Sequence, residues 1–124
     1  MSRFVESGVY GRTYTPREVA AYARRFGHGD EPLGRMEAQV RQLALAWRRV
    51  RLRVADLQTL YDEVPGDDPA IADYVERRRR GSRFPAVVVH DVRYLPADGN
   101  HRVRAAQVVG DEWIDAFVPA GETR

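Results

Sequence analysis

Cysteine and lysine are both absent from this 124-residue chain, and each absence narrows the chemistry. Without cysteine there is no disulfide framework, no thiolate metal site and no sulfur nucleophile, so any reaction must use carboxylates, imidazole, hydroxyls or arginine. Without lysine, all 20 basic side chains are arginine. The planar guanidinium suits phosphate, but a codon-composition bias is the simpler explanation, and the count alone assigns no function. Long apolar runs are missing too. No segment approaches the roughly 20 apolar residues of a membrane span, and the opening Met1-Ser2-Arg3-Phe4-Val5-Glu6 lacks the apolar stretch of a secretory signal. The expectation is a cytoplasmic chain with no membrane span.

What is present is an ordinary globular composition, 44% hydrophobic and 31% charged. A chain of this length folds as one domain and removes roughly two-thirds of its unfolded surface from water. The net charge of +2 hides an asymmetry: residues 1–60 hold 11 Arg against 6 acids, and residues 61–124 hold 9 Arg against 12 acids.

Along the chain, Thr15-Pro16-Arg17-Glu18 is a helix start, with Thr as cap, Pro at the first helical position and Glu able to close a capping box. A helix follows to about Phe26, its apolar face Val19, Tyr22, Ala23 and Phe26, and the loop 27–32 ends it. Met36, Val40, Leu43, Trp47 and Val50 then recur at offsets of three or four, which predicts a helix over about 34–49 with one apolar stripe. That stripe is the best candidate for a partner surface, or for self-association through the N-terminal helices. Strict alternation in Val50-Arg51-Leu52-Arg53-Val54 predicts a strand, and Asp68-Pro69 starts another helix that stops at Gly81. The run Arg77 to Arg80 in its last turn complements the helix dipole, with a nucleic-acid patch as the competing reading. The β-branched run 84–90 predicts a buried strand returning through Arg93-Tyr94-Leu95. A turn at 97–100, a short helix from His101 to Val109 closed by Gly110, and a strand from Trp113 to Val118 complete the order. Pro119 to Arg124 is expected to be a frayed tail.

The turn Asp98-Gly99-Asn100-His101-Arg102 carries the chemistry. A helix opening on a glycine turn leaves its first amides unpaired, with a partial positive charge that attracts anions. Gly99 permits close backbone approach, Asn100 and His101 offer donors, Arg102 can present a fork to phosphate, and Arg104 follows two residues on. Asp98 does not suit direct phosphate contact, so its candidate roles are holding Mg²⁺, taking a proton, or orienting His101 and Arg102. A plain turn carboxylate is the bland alternative.

Gly99-Asn100-His101-Arg102-Val103-Arg104-Ala105-Ala106, with Gly110 and the strand 114–118, resembles the signature of the ParB/sulfiredoxin superfamily. Pro85 to Val89 and Tyr94-Leu95 stand where that family has its hairpin. In the ParB branch the motif is Gly-Glu-Arg-Arg followed by two alanines; Asn100 and His101 depart from it. In sulfiredoxin the nucleophilic cysteine stands where this chain has Asn100, which excludes that activity. The Asp-Gly-X-His-Arg branch, with free-serine kinases and small ParB-like proteins, fits at every fixed position.

The resemblance implies an α+β fold, a small mixed sheet with packed helices. It divides the chain into an N-terminal helical extension at 1–49, a ParB/sulfiredoxin-like domain at 50–118 and a tail at 119–124. It implies nucleotide binding, with ATP or CTP as ligand, through Gly99, Asn100, His101, Arg102 and Arg104. Asp98 and His101 are the candidate catalytic residues of a Mg²⁺-dependent phosphohydrolase, phosphotransferase or nonspecific nuclease, with Asp98 as the metal ligand. The alternative is a non-enzymatic module, binding nucleotide or nonspecific DNA, from a plasmid or phage system.

Overall fold

In the computed structural model, residues 5–6, 12–27, 31–90 and 98–120 are described. Helix α1 (Pro16–Gly27) starts on the expected capping box: the Glu18 amide donates to Thr15 Oγ1 at 3.1 Å and the Thr15 amide donates to the Glu18 carboxylate at 2.8 Å. Its inward face is Val19, Ala20 and Ala23. Helix α2 (Leu33–Leu43) turns Met36 and Val40 toward the same core.

Helix α2 ends six residues before the expected Arg49, because Ala44 is already extended (φ −165°, ψ 154°) and Trp47 opens a strand. Strand β2 (Trp47–Arg53) forms a seven-residue antiparallel ladder with strand β4 (Trp113–Pro119), from Trp47 opposite Pro119 to Arg53 opposite Trp113. The three-residue step from Trp47 to Val50 fits a helical stripe, but on a strand it sends the two side chains to opposite faces. Trp47 accordingly packs with Val19, Met36 and Phe117, whereas Val50 packs with Val87, Val103 and Ile114. The apolar stripe thus faces the protein's own core, and the expected boundary at 49/50 falls inside one strand.

The sheet is four-stranded and mixed. The two-residue β1 (Val5–Glu6) pairs antiparallel with β2, and β3 (Val87–Val88) pairs parallel with β4, giving the order β1-β2-β4-β3. After a single 3₁₀ turn at Val54–Asp56, helix α3 (Pro69–Arg79) begins on Asp68, whose side chain accepts from the Ala70 amide at 2.9 Å. The backbone then turns at Gly81 (φ 101°). Helix α4 (Asn100–Val109) ends on Gly110, left-handed at φ 82° as expected.

Helices α1 and α2 lie against each other and share a core with Trp47 and Phe117, while α3 and α4 form a second pair, α4 packing on the opposite face of the sheet. The result is the α+β class: a small mixed sheet with helices on both faces. The expected return strand Arg93-Tyr94-Leu95 lies outside the described residues. Just after it, Asp98 bridges Val88 in antiparallel sense, their amides and carbonyls meeting at 3.0 and 3.3 Å. At the C-terminal end the fold runs further than the expected tail boundary. Pro119 belongs to β4 and the buried Ala120 donates its amide to the Ala46 carbonyl at 2.9 Å.

Candidate functional site at the start of helix α4

The bridge to Val88 fixes Asp98 at the sheet edge, and the chain turns into α4 through Gly99 at φ 100°. A β-carbon there would fall 2.3 Å from Val87 Cγ1 and 3.1 Å from Arg102 Nη2. The turn therefore demands glycine twice, for its backbone angle and for space.

Arg102 is 3% exposed, and its fork faces inward. Nη1 donates to the Ala86 carbonyl at 3.1 Å and Nη2 to Asp98 Oδ2 at 2.9 Å. The guanidinium that the motif offered to phosphate thus ties α4 to the residue before β3 and to its own turn. Asp98 and Arg102 thus form a largely buried ion pair.

Asn100 also binds protein. Its Oδ1 accepts from the Leu60 amide at 3.0 Å, and its carbonyl accepts from the buried Thr59 hydroxyl at 2.7 Å. Arg104 reaches the same loop, Nε donating to the Val64 carbonyl at 2.8 Å and Nη1 to Gln107 Oε1 at 2.9 Å. The segment 59–64 is thereby fastened along the first turns of α4.

His101 is half-exposed and held by rings. It stacks on Tyr61 at 4.3 Å with planes 28° apart, and lies near-parallel to Tyr74 at 5.9 Å and 15°. Together these contacts fix the imidazole plane beside the helix start. Gly99, at the N-cap, brings no side chain to that start. A helix terminus that opens on glycine with a positioned imidazole at its rim can accept an anion through backbone amides and one ring N–H.

Thr59, Tyr61 and Tyr74 escaped the sequence reading. The segment 59–61 reads as featureless loop, and no spacing rule links it to a helix 40 residues later. The only signal was composition, a tyrosine in that loop and another on α3. In the same loop Asp62 is exposed and accepts from Gln107 Nε2 at 3.4 Å, while Glu63 sits at φ 70°.

Among the described residues, no group of three or more His, Asp or Glu side chains converges as a metal would need. Asp98, the candidate Mg²⁺ ligand, is engaged through Oδ2 by Arg102 at 2.9 Å.

These features define a class by architecture, helices on both faces of a small mixed sheet with a helix that starts on glycine beside a histidine. No family model matches the sequence, and no curated protein and no solved structure matches it either.

Proposed function

We propose that this protein is a ParB-like module that binds the phosphate of a nucleotide, ATP or CTP, at the start of α4, without turning it over. The observation that carries this reading is the start of α4 on the left-handed Gly99, with the stacked His101 at its rim. The first-turn amides and the helix dipole supply the attraction, and His101 supplies a directed donor. Arg102 acts from behind, as the strut that sets the position of the turn.

The reading favours binding over catalysis because the candidate acid–base and metal carboxylate, Asp98, is committed to Arg102 at 2.9 Å. Phosphoryl transfer depends on positioned charge around the reacting phosphate, and here the nearest guanidinium and carboxylate neutralise each other.

Calorimetric titration with ATP and CTP tests this, comparing the wild type with His101→Phe, which keeps the ring stack and removes the donors. The expected outcome is affinity about tenfold weaker in the variant, in line with losing a hydrogen bond to a charged group, and an unchanged melting temperature. No heat from the wild type at millimolar nucleotide would overturn the proposal. Nucleotide turnover with Mg²⁺ that disappears in Asp98→Asn would replace it with the enzyme reading.

A further inference from the structure

Two arginines without a carboxylate partner among the described residues lie together. In the run Arg77 to Arg80, Arg77 pairs with Asp73 at 2.8 Å, Arg80 with Glu76 at 3.0 Å, and Arg78 holds Asp111 through two bonds of 2.8 and 3.1 Å. That run, suggestive as a sequence, is largely neutralised. Arg51 and Arg83, by contrast, meet no carboxylate among the described residues, and both line one open groove of about 240 Å³.

The sheet register explains the groove. Trp47, Arg49, Arg51 and Arg53 of β2 share one face with Phe117, Asp115 and Trp113 of β4. Helices α1 and α2 pack on the end that holds Trp47 and Phe117. Further along, Arg51, Trp113 and Asp115 line the cavity with Phe84 and Arg83.

The acids in the lining are already matched. Asp111 is held by Arg78, Glu112 by Arg53 at 3.2 Å and Asp115 by Arg49 at 3.3 Å. Arg51 lies directly opposite Asp115 in the ladder without pairing to it. The groove therefore holds two guanidinia, those of Arg51 and Arg83, with no carboxylate partner among the described residues. Beside them is an aromatic surface, Trp113, which already carries the Arg53 guanidinium 4.8 Å from its ring centre, and Phe84.

We propose that this groove binds single-stranded nucleic acid, with Arg51 and Arg83 on backbone phosphates and Trp113 offering a ring face to a base. Unpaired cations alternating with an aromatic platform are what a flexible strand uses, since every base has a ring face and every linkage a charge. A duplex is entered by a protruding helix or ribbon, and this surface is concave. The site is separate from the start of α4 and does not rest on the nucleotide reading.

The test is fluorescence anisotropy with a labelled 12-nucleotide oligothymidine at 50 and 200 mM salt. Against the wild type, Arg51→Ala/Arg83→Ala is expected to weaken binding at least tenfold. It should also reduce the salt slope by about 1.4, for two lost phosphate contacts on a single strand. Arg77→Ala/Arg80→Ala, which removes paired charges, should weaken it less than threefold. Trp113→Ala should weaken it several-fold and His101→Phe not at all, the last separating this site from the nucleotide site. If the double variant fails to fold by circular dichroism, Arg83→Glu on the exposed loop carries the test with the same expectation.

The proposal is overturned if the wild type does not bind at 50 mM salt, or if the two double variants lose affinity equally. Equal affinity for a glutamate peptide of the same length would overturn it in favour of an acidic protein partner. Saturation by thymidine monophosphate at the affinity of the oligomer would do so in favour of a free nucleotide.

Discussion

At the level of single residues, the motif that looked like a ligand-binding device is mostly a fastening device. Arg102 spans Asp98 and the Ala86 carbonyl from a buried position, so removing either end leaves a charge without its partner. Breaking a buried pair from one side costs about 3–5 kcal/mol. Arg102→Met should fall at the lower end of that range in urea denaturation, because Asp98 retains some solvent contact. The double variant Arg102→Met/Asp98→Ala should be destabilised by less than the sum of the two single changes, and strict additivity would show that the pair is not coupled. Gly99→Ala makes a second prediction. It forces a side chain into a left-handed conformation and onto Val87, and should cost about 2–4 kcal/mol with no bound ligand involved. A loss under 1 kcal/mol would mean that the turn can relax away from β3.

Single elements show how much of this was legible beforehand. The starts of α1 and α3 and the end of α4 were readable because capping is local chemistry: Thr15 with Glu18, Asp68 with Pro69, and Gly110 each act within a few residues. The end of α2 was not, because a three-residue apolar step is compatible with a helix face and equally with two sides of a strand. The ladder of β2 with β4 decides, and its partners lie 60 to 72 residues away. The same holds at the site: the string Asp98 to Arg102 announced a special turn, but whether Arg102 faces out or in depends on the Ala86 carbonyl, which no pattern reveals. Capping chemistry also makes a pH prediction. The Thr15 amide, then Arg12, holds the Glu18 carboxyl below the ordinary glutamate range, and Arg41, then Arg17, does so for Glu37. A carboxylate with a depressed folded pKa stabilises above its unfolded pKa and loses that contribution as pH falls through the folded one. The melting temperature should therefore drop as pH is lowered from about 5 toward 3, and Glu18→Gln/Glu37→Gln should flatten that part of the profile. An identical acid slope in the double variant would place the linkage in other carboxylates.

For the whole molecule, the decisive feature is that one sheet carries cores on both faces. The two clusters share strands β2, β3 and β4 and take alternate side chains from them: Val50, Val87, Ala116 and Val118 on one side, Trp47, Val88 and Phe117 on the other. Helices α1 and α2 are the cover for the second cluster, so both helices are built into the fold. Each large side chain they bury contributes about 1.5–3 kcal/mol, and the total stability of a domain this size is about 5–15 kcal/mol. Uncovering Trp47, Val88 and Phe117 together removes about 4.5–9 kcal/mol, which is comparable with that whole margin. A chain beginning at Ala44 should consequently lose cooperative thermal unfolding and near-ultraviolet dichroism, and its tryptophan emission should shift to the red as Trp47, fully buried in the intact protein, meets water. Retention of a sharp transition in that fragment would show instead that the sheet with α3 and α4 is the folding unit and that α1 and α2 are an addition to it. The two outcomes differ for binding as well. If the cover is integral, the Asp98 turn is held from the Ala86 side by a core that includes α1, whose Tyr22 hydroxyl accepts the Ala86 amide at 3.0 Å. Loosening that contact with Tyr22→Phe should then weaken anion binding at α4 without touching any residue at its rim.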